Sequence, residues 1–242
     1  MLLRVIDFET TGLAPPAPGL GVCEVGWTDL TWDGKAWWLG TPHAVLVNPG
    51  CPIPPEASAV HGSVDADVAG APCLGEVLPR LWLGDPAALC GHNLRFEKQW
   101  FSDQQQDDTD WIDTYACSLR LAPDCKSHAL QYLRYFLKLD VDEAMAQPRH
   151  RAGADTHVTA VLIKRMLAKV PVEQLVEMSK GPLLLTRIPK GKHYGEKFRD
   201  VDIGWLDWVV NKATGMDEDV TYAAKAELRR RKANGHGEAV DL

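Results

Sequence analysis

Residues 2–13 read LLRVIDFETTGL. From Leu2 to Phe8 the stretch is apolar at nearly every position, the mark of a strand covered on both faces and so central to a sheet. Asp7 and Glu9 close it. They stand two apart, and a strand projects residues so spaced from one face. Two like charges this close at the edge of a core repel one another and lose hydration. A divalent cation is the usual compensation where the donors are hard carboxylate oxygens. The tripeptide D-x-E alone is common on solvated strands, and it is the buried setting that makes Asp7 and Glu9 candidate metal ligands.

Working outward, Gly12 and the run Ala14-Pro15-Pro16-Ala17-Pro18-Gly19 end the strand in a loop. Val22–Thr31 alternates with a period of two, Asp33-Gly34 signals a turn, and Ala36–Val47 predicts a third strand of an antiparallel meander. Helices are predicted near Glu56–Val60, Leu74–Leu83 and Phe96–Phe101. Strands are predicted at Ala87–Gly91 and Trp111–Asp113. Ser127 predicts an N-cap for a helix with Leu130, Leu133, Phe136 and Leu137 on one face. The helix Arg151–Ala168 carries Val158, Val161, Leu162 and Met166. Strands first, then strands alternating with helices, predict an α/β domain with a mixed sheet over residues 1–170. Residues 171–182 read as a linker. Residues 183–242 read as a small α+β module: a strand at Leu183–Ile188, a basic turn at Pro189–Gly195, a helical face of Trp205, Trp208 and Val209, a charged helix Asp217–Lys232 and a polar tail from Ala233.

The chain has 242 residues, long enough to bury a core without disulfide or zinc. Apolar residues make up 45% and charged residues 24%, which excludes wholesale disorder. No apolar run reaches the roughly 20 residues of a membrane span, and acids interrupt the apolar start where a secretory leader would continue. With 26 basic against 33 acidic residues, net −7, no broad basic field is available to hold nucleic acid non-specifically. An acidic site that takes up metal before phosphate remains compatible with that balance. None of the six cysteines forms a C-x-x-C pair, so buried reduced thiols in a cytoplasmic protein are the expected reading.

Two further places carry chemistry. Asp155 shares a helix face with Val158 and Leu162 and so points inward. Pro148 keeps the chain before it extended, leaving His150 in a loop beside Asp155. A neutral histidine next to a carboxylate is suited to general-base work near neutral pH. In GHNLRFE, residues 91–97, a carboxylate, Glu97, appears at the first turn of a helix that Asn93 is placed to cap.

DFETTGL, GHNLRFE and HRAGAD, in this order, resemble the motifs of the DEDDh (DnaQ-like) 3′–5′ exonuclease family, and the histidine five residues before the last aspartate marks that branch. CEVGWTDL, the loop Ile53–Gly62 and Trp111-Ile112-Asp113-Thr114 echo it more loosely. The resemblance covers residues 1–168 and implies an RNase H-like mixed five-stranded sheet flanked by helices. It implies Asp7, Glu9, Glu97 and Asp155 around two divalent ions, Mg²⁺ or Mn²⁺, with His150 as general base. Thr10, Thr11, Gly12, Leu13, His61 and Asn93 correspond to substrate-contacting positions. The implied reaction releases nucleoside 5′-monophosphates from the 3′ end of DNA. The chain departs from the family at Glu97, where the pattern has aspartate. PKGKHYGEKFRDVDIGWLDWVV, from Pro189, resembles the small module that follows the nuclease domain in one branch, and its Lys190, Lys192, His193, Lys197 and Arg199 interleave with Tyr194 and Phe198 as in backbone-tracking surfaces. Three alternatives stay open: the same chemistry on RNA, a proofreading role beside a polymerase or repair partner, and a non-catalytic nucleic-acid-binding or assembly module with a decayed site.

Overall fold

The computed structural model describes residues 1–13 and 18–235. Residues 14–17 of the proline-rich loop and most of the predicted tail lie outside the described residues. β1 (Leu2–Thr10) lies mid-sheet, with β2 (Val22–Trp32) antiparallel on one side and β5 (Ala88–Gly91) parallel on the other, and β6 (Trp111–Asp113) runs parallel beyond β5. β3 (Trp37–Leu39) and β4 (His43–Leu46) both pair antiparallel with β2. The sheet thus has six strands where five were predicted. The single strand expected over Ala36–Val47 breaks at Gly40-Thr41-Pro42, because proline has no N–H for the ladder.

Helices α1 (Pro55–His61), α2 (Asp65–Val68), α3 (Leu74–Val77) and a 3₁₀ turn (Leu78–Trp82) fall between β4 and β5; α4 (Arg95–Lys98) and α5 (Asp103–Asp107) fall between β5 and β6. After β6 come α6 (Thr114–Leu121), α7 (Leu130–Phe136), α8 (Ala152–Leu167) and α9 (Val172–Met178), followed by α10 (Ile203–Asn211) and α11 (Glu218–Gly235). No described helix is long and apolar enough to cross a membrane.

The chain divides into two compact units. The first comprises Met1–Cys117 and Ser127–Ser179. Ile6 and Phe8 enter a core with Val25, Val77, Leu81, Leu89, Phe101 and Trp111 on one face of its sheet. α8 covers the other face along β1 and β2 and is buried nearly all round. Residues 171–182 are not a linker throughout, since α9 occupies most of them and packs on β6, where Ser179 Oγ accepts the Asp113 N–H at 2.8 Å. α7 starts later than Ser127 predicts. Ser127 Oγ accepts the Ala129 N–H in a local turn, and Phe136, expected on the buried face, is 53% exposed because the helix ends there.

The second unit takes Ser118–Lys126 and the chain from Lys180. α10 and α11 pack around Ile188, Phe198, Val201, Leu206, Val209, Val220, Ala223 and Ala224. The strand predicted over Leu183–Ile188 does not form; a single Arg187–Lys197 bridge is its only remnant among the described residues. Leu183 N–H instead donates to Asp219 Oδ1 at 2.7 Å, so the module is mainly helical.

Candidate active site

The β1–β2 register builds the site. Asp7 lies opposite Gly26 and Glu9 opposite Glu24, so all four face α8. Gly26 is where α8 comes down: a Cβ there would meet Ala152 C at 2.3 Å, and only glycine permits that approach. Glu24 fixes the helix start. Its carboxylate accepts Arg151 Nε at 2.9 Å, Arg151 Nη2 at 2.6 Å and the Ala152 N–H at 3.0 Å, which gives one orphan amide of the first turn a partner. Held so, α8 brings Asp155 to the end of β1. One oxygen each from Asp7, Glu9 and Asp155 lie within 4.8 Å of one another, a hard-donor set that could hold a divalent cation.

Both Asp155 oxygens are oriented from within this unit. Gln131 Nε2 donates to Oδ1 at 3.0 Å and the His150 N–H to Oδ2 at 3.0 Å. His150 reaches this through a left-handed backbone, φ 57°, and is itself exposed. The Gln147–Pro148 peptide ahead of it is cis. Glu24, Arg151 and Gln131 are functional neighbours that the sequence reading did not single out as site residues. The available signal was a glutamate on the otherwise buried strand β2.

Glu97 stands in α4 and is 4% exposed, and its Oε2 has no hydrogen-bond partner. The loop before it is anchored by Asp113, whose carboxylate accepts the N–H groups of Asn93, Leu94 and Tyr115. Asn93 does not cap α4. It takes φ 70° to turn the chain, and Leu94 is the N-cap residue. Burial first, then the charges of Asp113 and Glu9, push Glu97 up to about 8. Burial and then Asp155 and Glu24 push Glu9 up to about 7, against the pull of Arg151. Burial raises Asp7 well above the usual carboxylate range, with Glu97 the leading charge around it, followed by Glu9 and Asp155. Asp155 is raised by burial while its two hydrogen bonds oppose the shift. Acids raised together by burial and by their neighbours' charges are what a site built for divalent cations predicts, and the Glu97 oxygen that lacks a hydrogen-bond partner fits the same reading.

Beside Glu9 lies a cavity of about 410 Å³ lined by Phe8, Thr10, Thr11, Gly12, Leu13, Val60 and His61 among others. Leu13 is 89% exposed at its edge. Thr10 Oγ1 donates to the Gly12 carbonyl at 2.8 Å and Thr11 Oγ1 accepts the Gly21 N–H at 3.0 Å, so both hydroxyls brace the loop. His61 is buried. Its Nδ1 accepts the Ser63 N–H at 3.1 Å and its Nε2 lies 3.5 Å from Cys23 Sγ, and burial lowers its pKa. Asn93 is exposed on the α4 side. In the second unit the basic cluster is only partly available. Phe198 is core, and Lys197 and Arg199 both pair with Asp124 at 2.8 Å, while Tyr194 is 74% exposed.

A family model described as Exonuclease matches residues 5–163. Exodeoxyribonuclease 10 of Escherichia coli strain K12 is 30% identical over 232 residues, spanning 94% of this chain and 99% of that protein, an alignment that reaches into the C-terminal module. A DNA polymerase III subunit epsilon-like protein of Rhodobacter capsulatus is 30% identical over 204 residues, 82% of this chain but 27% of that protein. Among solved structures, Exonuclease X in complex with 5′ overhanging duplex DNA matches with a TM-score of 0.63 at 29% identity, covering 74% of this chain and 99% of that one. The mixed sheet flanked by helices is thus the RNase H-like arrangement of these exonucleases.

Proposed function

The chain belongs to the exonuclease family, a family of divalent-metal-dependent nucleases, and on that premise we propose that it is a 3′–5′ exonuclease that releases nucleoside 5′-monophosphates from DNA. The observation that carries this reading is the convergence of Asp7, Glu9 and Asp155 on one point, with Glu97, one of whose oxygens has no hydrogen-bond partner, among the charges around them. These four carboxylates would hold two ions, Mg²⁺ or Mn²⁺, which when bound supply the charge that stabilises the attacking and leaving oxygens of an in-line displacement.

The chain's own groups do the rest. His150, on an exposed loop whose backbone is tied to Asp155, would take the proton from the attacking water. The cavity beside Glu9 would receive the terminal base, with Leu13 against its face and the backbone from Thr10 to Gly12 near the terminal 3′-OH. Asn93 and His61 would border that substrate, His61 by shaping the cavity wall. Glu97 keeps the charge of the family's aspartate on a longer arm, and its buried position supports retained metal binding over a decayed site.

The second unit would contribute to substrate holding. It carries fourteen basic and eleven acidic residues, against twelve and twenty-two in the first. DNA is favoured because the relative aligned over most of the chain is named an exodeoxyribonuclease. The polymerase subunit epsilon-like relative motivates a proofreading partner, which co-purification with a polymerase would reveal. A cytoplasmic setting is supported by six cysteine thiols, four of them buried.

Oligonucleotides labelled at the 5′ or the 3′ end, single-stranded and duplex, DNA and RNA, are digested with Mg²⁺ or Mn²⁺ beside an Asp7→Ala control. Stepwise shortening from the 3′ end that requires metal and Asp7 is the expected result. Binding without shortening, with activity appearing in Glu97→Asp, would instead support the decayed-site reading.

A further inference from the structure

α7 carries Tyr132, Tyr135 and Phe136, which are 36%, 59% and 53% exposed. Three large aromatics on one seven-residue helix, all facing water, form an apolar patch that folding does not explain. The patch is ordered by its neighbours. Tyr132 and Phe136, four residues apart, stack at 5.9 Å with planes 21° apart. Two guanidinium groups lie near the Tyr135 ring, Arg134 at 5.3 Å and Arg149 at 5.8 Å from its centroid, and Arg149 Nη2 donates to its hydroxyl at 2.7 Å. Arg134 is buried and also bonds Glu143 and Gln131, so the guanidinium beside the ring is itself held in place.

The patch is continuous with the carboxylate site at both ends. Gln131, one turn before Tyr135 on the same helix face, donates to Asp155 Oδ1. Arg149, exposed at the other end, is the neighbour of His150, whose N–H donates to Asp155 Oδ2. The unit carrying this patch has ten more acids than bases, so a polyanion reaching Asp155 needs a local cation and an attraction that does not depend on charge. Exposed arginine supplies the first and aromatic faces the second, because every base has a face that stacks on a ring. A base in a duplex has both faces covered, whereas an unpaired one offers them.

We propose that Tyr132, Tyr135, Phe136 and Arg149 form a stacking platform for single-stranded nucleic acid, holding the nucleotides on the 5′ side of the bond cleaved at Asp155. This rests on the exonuclease reading above. The preordered rings favour binding because little side-chain freedom is left to lose.

The test compares the full chain with Tyr135→Ala, Phe136→Ala and Tyr135→Phe. The substrates are thymidine 5′-(p-nitrophenyl phosphate), which has one nucleotide, and oligothymidylates of increasing length. Removing a ring should raise KM for the longer strands roughly tenfold with kcat held. The one-nucleotide ester should be cleaved as by the parent, and Tyr135→Phe should behave close to it. Equal losses on ester and oligonucleotide would reduce the patch to a support for Gln131 and overturn the platform. Unchanged KM on every length would overturn it too, and would assign the surface to a protein partner. If the parent chain cleaves nothing, the exonuclease reading fails separately. Fluorescence anisotropy of a labelled oligothymidylate in EDTA then decides: binding weakened in Tyr135→Ala and Phe136→Ala sustains the platform, and equal binding rejects it.

Discussion

Glu97 and Glu227 are the same residue type at nearly the same burial, 4% and 7% exposed, one in each unit. Glu227, in α11, is gripped by Arg230 through two bonds at 2.8 Å and by Arg231 at 2.7 Å, and these bonds hold its carboxyl below the ordinary range. Glu97 has an oxygen with no partner and is pushed up to about 8. The chain therefore has the means to pair a sequestered acid and does so in the second unit. Glu24 sharpens the contrast, because it lies beside Glu9 on the same sheet face, is 1% exposed, and is fully bonded to Arg151 and the α8 backbone. Burial alone does not separate these acids; the presence or absence of a counter-charge does.

The largest effects should come from the unpaired group. Asp7→Ala should bring hydrolysis to background in a gel assay. Asp7→Asn should do the same while raising thermal stability in EDTA at alkaline pH, since it removes the charge that Glu97, Glu9 and Asp155 all repel. An Asp7→Asn protein that melts lower than the parent in EDTA would break the distinction between the two kinds of acid. Next comes the clamp. Arg151→Ala leaves Glu24 buried without its cation and should cost about 3 kcal/mol, read by urea denaturation. It should also weaken Mn²⁺ binding by calorimetry, because the start of α8 then loses its hold over Asp155.

The pH response tests the same point. Glu9 has an ordinary value of 4.5 and stands at about 7 in the folded chain, so its proton is held more tightly folded than unfolded. Its contribution to stability is then whole below pH 4.5 and is lost as pH rises through about 7. Metal-free protein should lose stability across that window, and saturating Mn²⁺ should suppress the loss because it binds the folded, ionised site. A metal-free profile that is flat from pH 4.5 to 8 would contradict the raised value.

How much of this was legible in the sequence follows from range. Asp7 and Glu9 could be read because a strand's period of two and an apolar run are local facts, and Asp155 because helical spacing set it on the face of Val158 and Leu162. The Glu24–Arg151 clamp joins residues 127 positions apart, and Gln131 meets Asp155 across 24. No local period encodes such pairings; the β1–β2 register and the close approach at Gly26 do. The misread elements have local causes. Pro171 and the Ser-Lys-Gly-Pro stretch at 179–182 resemble linker punctuation, yet they only bracket α9. Ser127 has the chemistry of a cap but closes a turn two residues ahead of it.

The sharpest form of the comparison makes one substitution at both acids. Glu227→Gln removes the charge from three hydrogen bonds to Arg230 and Arg231. Arg230 is half exposed and solvent screens its share, so the loss should be about 1 kcal/mol, or roughly 2–4 °C for a chain of this size. Glu97→Gln removes a charge that has no cation beside it and that Asp113 and Glu9 oppose, against a single backbone hydrogen bond, so in EDTA at pH 9, where the parent's Glu97 is largely ionised, the melting temperature should rise by a comparable amount. Below about pH 6 the parent's Glu97 is protonated and the gain should vanish, whereas the Glu227→Gln loss should persist down to the range where an ordinary glutamate titrates. Differential scanning fluorimetry across pH reads both. Shifts of the same sign at pH 9 would mean that Glu97 has a counter-charge after all, and that its burial is architectural in the way Glu227's is.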